Sequence, residues 1–97
     1  MGTDPKRYWL LVYEYVEDYV ERRAPFRQAH LELAHHAHDR GELVMAGALA
    51  DEPYGAVFVF GADEASVAED FARTDPYVNE GVVTSWRVRG WNVVVGG

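Results

Sequence analysis

The sequence LVMAGALADEPYGAVFVF, residues 43–60, contains the clearest fold signal of the chain. Two apolar runs, Leu43 to Leu49 and Ala56 to Phe60, flank a loop of turn-forming residues, DEPYG at 51–55. Short apolar runs rich in β-branched and aromatic residues, separated by such a loop, are typical of a β-hairpin. The fold then depends on which elements lie on either side of this predicted hairpin.

A strand and a helix are predicted on the N-terminal side of the hairpin. The segment YWLLVYEY at 8–15 is aromatic and almost continuously apolar, which predicts a largely buried strand. Pro25 suits the first turn of a helix that ends before Gly41, although a start near Val20 also fits the pattern. Apolar positions recur along this helix at helical spacing, and the stripe consists of Phe26, Ala29, His30, Leu33 and Ala37.

A second helix and a long strand are predicted on the C-terminal side. We expect Asp63 or Ser66 to cap a helix that runs to about Arg73. Pro76 restricts Asp75 to extended or turn geometry, so this helix must stop there. A terminal strand is predicted over Val83 to Val95, with a break or bulge at Gly90. The order βαββαβ predicts an α+β ferredoxin-like sandwich with both helices on one sheet face.

Length, composition and charge exclude several classes of protein and partner. The 97 residues predict a single domain over 1–97, with residues 1–7 as a flexible N-terminus. The net charge of -7 repels phosphate backbones and anionic lipids, so we expect neither nucleic acid nor membrane as a partner. The absence of cysteine excludes disulfides, thiolate zinc sites and a cysteine nucleophile. No signal-peptide pattern or bilayer-length apolar run is present, which predicts a cytoplasmic location.

The predicted sheet has a second face that two helices cannot cover. A sheet that carries Trp9, Trp86, Trp91 and many valines is not expected to leave that face in water. The pattern therefore favours a homodimer packed sheet to sheet, with a monomer covered by its own loops and terminal strand as the alternative.

His30 is the candidate for chemistry, because it lies inside the apolar stripe of the first helix. A buried histidine needs a hydrogen-bond partner, whether its role is structural or functional. In a ferredoxin-like fold the middle of the first helix and the exit of the second can approach each other, which makes Asp75 a candidate partner. A carboxylate beside an imidazole fixes the tautomer of the ring, as general acid/base catalysis requires, and this chemistry needs no metal or cofactor.

Several motifs of the chain resemble those of the YciI-like (YCII-related) family. They are the arginine-rich approach to AHL and the segment GELVMAG, both within residues 22–47, and DPYVNEGVV at 75–83. The resemblance extends over about residues 8–95 and implies a dimeric α+β barrel with a ferredoxin-like subunit. It also implies an active site around a His-Asp pair, which matches His30 and Asp75 here. Ala48 departs from the family pattern, since many members have proline after AG.

The resemblance implies a class of reaction rather than a substrate. The family includes a dehydrochlorinase of a chlorinated hydroxyhydroquinone, and related α+β barrels include muconolactone isomerases; both reactions move protons at a small ring. We therefore expect a cofactor-free lyase or isomerase acting on a small cyclic or hydroxylated aromatic substrate. A non-catalytic dimeric module that binds a small molecule or acts as an accessory protein is the alternative.

Four further residues are candidates for substrate binding. Arg23 and Arg27 precede His30 by about two turns and one turn, so they either bind a substrate anion or are solvated surface cations. Tyr77 either presents its phenol to a pocket or only packs. Gly47 either permits close approach of a ligand to the strand or serves packing.

The cluster His35-His36-Ala37-His38-Asp39 raises the question of a metal site. His35 and His38 lie about 60° apart around a helix while His36 points elsewhere, and the chain has no H-E-x-x-H motif. A solvated polar helix end is the better interpretation, and no metal is predicted. Phosphate-binding loops, dinucleotide fingerprints and nucleophile elbows are also absent, so no cofactor is predicted.

Overall fold

The computed structural model describes residues 7–97. Its strands are β1 (Tyr8–Tyr15), β2 (Leu43–Ala48), β3 (Gly55–Gly61) and β4 (Val83–Trp91). Its helices are α1 (Tyr19–Arg23), α2 (Arg27–Asp39), α3 (Ser66–Thr74) and α4 (Pro76–Asn79), with a 3₁₀ turn at Ala24–Phe26 between α1 and α2. The predicted flexible N-terminus, apart from Arg7, lies outside the described residues.

The strands form one antiparallel sheet in the order β2-β3-β1-β4. The two strands of the predicted hairpin are neighbours, and β1 lies between β3 and β4. This is the strand order of a ferredoxin-like fold, so the predicted α+β architecture is confirmed. Within residues 7–97 no helix is both long and apolar enough to cross a bilayer.

The first helical region is divided at Pro25. A proline inside a helix lacks an N–H donor and its ring clashes with the preceding turn, so a continuous α-helix cannot pass through this position. The chain instead tightens into the 3₁₀ turn Ala24–Phe26 and resumes as α2 at Arg27. The earlier start near Val20 is therefore closer to the structure than a start at Pro25, because α1 begins at Tyr19.

The second helical region ends at Thr74, as the Asp75-Pro76 step predicts. Asp75 is extended, with φ -73° and ψ 123°, and serves as the N-cap of the short helix α4. The prediction that Asp63 or Ser66 caps α3 was wrong. Its N-cap is Ala65, and no side chain accepts a hydrogen bond there.

The last strand is shorter than predicted, because β4 ends at Trp91 and not at Val95. Trp91 pairs with Tyr8, the first residue of β1, so β4 extends only as far as its partner strand. The predicted break at Gly90 was also wrong, since Gly90 pairs in register with Trp9. The register shift between β1 and β4 falls at Glu14/Tyr15 instead.

The core lies between the sheet and the helices. Directly paired residues point to the same side of a sheet, so Trp9, Phe60 and Gly90 share one face, as do Tyr13, Ala56 and Trp86. This face packs on the helices, and its fully buried side chains include Leu11, Tyr13, Phe58 and Phe60. Of the three tryptophans, only Trp91 lies on the face opposite the helices, together with Leu10, Val12, Met45, Val57 and Val59.

Candidate active site

His30 lies in the middle of α2 and faces the chain segment between α3 and α4. Only 7% of the residue is exposed. Its Nδ1 atom is 2.9 Å from both carboxylate oxygens of Asp75. An ionised carboxylate only accepts hydrogen bonds, so Nδ1 carries the proton of the neutral ring and donates it to Asp75. The helical stripe and the Asp75-Pro76 turn thus bring the two predicted residues into contact.

Asp75 is completely buried and receives hydrogen bonds from three donors. Besides His30 Nδ1, the hydroxyl of Tyr13 donates to Oδ2 over 2.7 Å, and the backbone N–H of Tyr77 donates to Oδ1 over 3.0 Å. A buried carboxylate is costly unless its oxygens are hydrogen-bonded, and these donors compensate for that cost. The same contacts fix the direction in which the carboxylate points.

Tyr13 is a member of the site that the sequence did not identify. It comes from β1, the central strand next to β4, and is fully buried. A buried tyrosine needs a partner for its hydroxyl, and Asp75 provides it. The signal in the sequence was the alternation Trp9, Leu11, Tyr13, which places a hydroxyl on the buried face of β1.

The ring of Tyr77 packs against one face of the His30 imidazole ring. The two rings are stacked, with centroids 3.8 Å apart and planes inclined by 5°. The Phe58 ring meets His30 edge-on with centroids 6.1 Å apart. Because Tyr77 contacts His30 through its ring and Asp75 through its backbone N–H, helix α4 positions both members of the pair.

The remaining ring nitrogen of His30, Nε2, opens into a cavity. Nε2 has no hydrogen-bond partner among the described residues. Within residues 7–97 every buried side-chain nitrogen or oxygen has such a partner, so Nε2 is not buried. It is therefore accessible from the cavity that His30 lines. The cavity has a volume of about 590 Å³, within the usual range for small-molecule sites. Asp75 does not line it and lies behind the imidazole.

All four predicted substrate-binding residues line this cavity. Arg23 and Arg27 come from the first helical region, Gly47 from β2 and Tyr77 from α4. At Gly47 an added Cβ would meet no atom within 4 Å, so packing does not require glycine there. Whether these residues bind a substrate stays a prediction.

The histidine cluster at the end of α2 is divided between the cavity and the solvent. His35 and His38 line the cavity, whereas His36 does not, and all three are exposed. In the part of the chain that the structure describes, no group of three histidine, cysteine or acidic side chains is arranged to hold a metal ion. The sequence did not indicate that two of these histidines face the site.

The tyrosines of the site are held in their protonated forms. Burial, followed by the nearby Asp75 charge, raises the pKa of Tyr13 well above its ordinary value. Tyr15 also lines the cavity. Burial, followed by the charge of the nearby Tyr77, raises the pKa of Tyr15 to about 12. Burial also raises the pKa of Tyr77, against the opposing effect of Arg23 and Arg27. At neutral pH these phenols are hydrogen-bond donors and not bases.

Comparisons with known proteins agree with this architecture. The model of the YCII-related domain family matches residues 7–92. A similar solved structure is 5-chloro-2-hydroxyhydroquinone dehydrochlorinase (TftG) from Burkholderia phenoliruptrix AC1100, in complex with 2,5-dihydroxybenzoquinone. The TM-score is 0.75 at 15% sequence identity, over 88% of this chain and 93% of that one. At this identity the likeness shows a shared fold. No curated protein matches the chain significantly.

Proposed function

The chain belongs to the YCII-related family, and we propose that it is a lyase or isomerase that moves a proton on a small cyclic or hydroxylated aromatic substrate. His30 is the general acid/base, and Asp75 positions it. The two side chains carry this chemistry themselves, so the proposal requires no cofactor.

One observation carries the proposal. The Nδ1–H group of His30 is bound by a buried carboxylate over 2.9 Å, and the only accessible nitrogen of the ring faces the cavity. A neutral imidazole with a fixed tautomer and one free nitrogen is a proton acceptor that needs no rearrangement before it reacts.

The proposed reaction begins with proton abstraction. Nε2 takes a proton from a ring carbon next to a carbonyl group, which can be the keto form of a ring hydroxyl, and the electron pair of the broken C–H bond forms the enolate. In a lyase reaction that pair expels a leaving group from the neighbouring carbon. In an isomerase reaction the imidazolium returns the proton to a different carbon. The Asp75 carboxylate stabilises the imidazolium that forms in between, because the two opposite charges are in direct contact.

The structural neighbour supports this class of reaction without defining the substrate. TftG is a dehydrochlorinase of a chlorinated hydroxyhydroquinone and was solved with a dihydroxybenzoquinone. Such a ring fits the class of compound proposed here. A shared fold at 15% identity does not transfer the substrate.

The proposed active form of the protein is a homodimer in which the two sheets pack face to face. The helices cover one sheet face, and the other carries Leu10, Val12, Val57 and Val59 in one apolar band. Burying such a band between two copies removes it from water. Light scattering after size exclusion should give twice the 11.0 kDa chain mass, and a species of 11.0 kDa alone would contradict the dimer.

Proton exchange tests the proposed chemistry without knowledge of the natural substrate. Hydroxylated aromatics and lactones are incubated with the protein in D₂O, and exchange of ring C–H for C–D is followed by NMR. We expect exchange in at least one compound, reduced in His30→Asn by about 10²-fold or more. His36→Asn is the matched control, because His36 lies on the same helix but outside the cavity. Exchange that survives in His30→Asn would refute the proposal, and no exchange in the wild type would favour the non-catalytic binding module.

A further inference from the structure

The cavity beside His30 differs in charge from the rest of the chain. The protein has a net charge of -7. Among the described residues that line the cavity there are two arginines, Arg23 and Arg27, and neither an aspartate nor a glutamate. In a chain with 16 acidic side chains, a cavity wall that holds cations and excludes carboxylates attracts anions.

The two arginines are not neutralised by the protein. Within residues 7–97, Arg22, Arg40 and Arg73 each pair with a carboxylate, whereas neither Arg23 nor Arg27 is in an ion pair. The half-buried Arg23 guanidinium lies over the Tyr19 ring, 5.2 Å from its centroid. That contact orients the guanidinium but leaves its positive charge uncompensated.

Both cations line the same cavity as Tyr77 and His30. In agreement with this arrangement, each of them opposes the rise in the pKa of Tyr77 that burial causes. The Tyr77 ring is stacked on His30 at 3.8 Å. Positive charge is therefore concentrated beside the residue proposed to move the proton.

The rest of the wall is mainly apolar. It is formed by α2 on one side and by the β2 and β3 strands on the other, with the side chains Leu31, Ala34, Leu43, Ala46, Ala56 and Phe58. Apolar walls with a few charged groups at one end orient a ligand that has an apolar body and one charged end.

We propose that the site takes an anionic substrate, a small ring acid whose carboxylate is bound by Arg23 and Arg27 while the ring lies against the apolar wall beside His30 Nε2. This inference rests on the proposed function, because it specifies the substrate class of that reaction. The planar guanidinium groups match the geometry of a carboxylate. The same cations stabilise the negative charge that enters the ring when the proton leaves.

Binding of salicylate and salicylamide tests this substrate class. The two compounds share a hydroxylated ring, and only the first carries a carboxylate. Affinities are measured from chemical-shift changes in ¹H–¹⁵N NMR spectra, which also show that each variant is folded. We expect salicylate to bind the wild type at least about tenfold more tightly than salicylamide, with a preference that weakens as salt is added.

Arginine variants locate the origin of the preference. The double variant Arg23→Gln with Arg27→Gln should bind both compounds equally. Arg22→Gln is the matched control, since Arg22 is adjacent in sequence but pairs with Asp18 and does not line the cavity. It should keep the wild-type preference. Equal binding of both compounds by the wild type, an undiminished preference in the double variant, or no saturable shift with salicylate would each overturn the inference.

The outcomes separate this inference from the proposed function. The binding readout needs no turnover, and His30→Asn should retain the preference for salicylate because both arginines remain. A preference for the carboxylate without proton exchange would refute the proposed reaction, and the anion would then be a ligand and not a substrate. His30-dependent proton exchange combined with equal affinity for salicylate and salicylamide would refute only the anionic substrate class and leave the proposed reaction in place.

Discussion

The hydroxyl of Tyr13 is the contact of the site that can be deleted most cleanly. Tyr13→Phe removes one oxygen and keeps the ring that packs edge-on against Phe58, with centroids 4.8 Å apart. The deletion leaves Oδ2 of Asp75 without its 2.7 Å donor. No water can replace that donor without repacking, because both residues are fully buried.

The expected loss of stability follows from the charge of the acceptor. A hydrogen bond to a charged group contributes about 1.5–3 kcal/mol. Asp75 keeps its contacts with His30 and with the Tyr77 backbone, so we expect a loss of about 2 kcal/mol in the free energy of unfolding. For a chain of this size that corresponds to a melting temperature lower by about 10 °C.

Urea denaturation at a fixed protein concentration measures this loss. If the slope of the unfolding free energy against urea concentration is unchanged, the wild type and the variant unfold in comparable transitions. Tyr54→Phe is the control, because Tyr54 is only partly buried and contacts Tyr19 through its ring. It should change stability by less than about 0.5 kcal/mol. If Tyr13→Phe is no more destabilising than Tyr54→Phe, the hydroxyl does not stabilise the buried carboxylate and the account of the site is wrong.

Two further predictions concern backbone packing and alkaline stability. Gly55→Ala should destabilise by at least about 2 kcal/mol, because its Cβ would collide with the backbone carbonyl of Tyr13, whereas Gly47→Ala should be nearly neutral in the same urea assay. Similar losses for the two would contradict the strand contact. Above pH 10 the Tyr15 phenol ionises in the unfolded chain but remains protonated in the folded one up to about pH 12, so the stability present below pH 10 should fall across this interval. Urea midpoints should fall less steeply with pH in Tyr15→Phe than in the wild type, and equal slopes would contradict the raised pKa.

The sequence predicted the order of strands and helices along the chain and the approach of His30 to Asp75, because both depend on local signals. Apolar runs and turn formers define the hairpin, and Pro76 ends α3 wherever the rest of the chain lies. The same Asp-Pro step also begins α4, since Asp75 is a good N-cap and proline suits the first helical position. That second consequence was present in the sequence and was missed.

The remaining features depend on contacts between distant parts of the chain. Alternation along β1 places Tyr13 on the buried face, but only the register of the sheet brings it to Asp75, which is 62 positions away. The end of β4 is likewise set by the position at which β1 begins, and not by the valines that continue to residue 95. Helical spacing alone did not show that His35 and His38 face the cavity, because β2 forms its opposite wall.

The tautomer of His30 determines whether the nitrogen that faces the cavity can accept a proton. Long-range ¹H–¹⁵N correlation spectra of the four histidines distinguish a ring protonated at Nδ1 from one protonated at Nε2. For the neutral ring of His30 we expect the proton on Nδ1, and in Asp75→Asn this preference should be lost while the spectra of the other histidines are unchanged. A neutral His30 protonated at Nε2 would show that the accessible nitrogen cannot accept a proton, and the proposed acid/base role would be wrong.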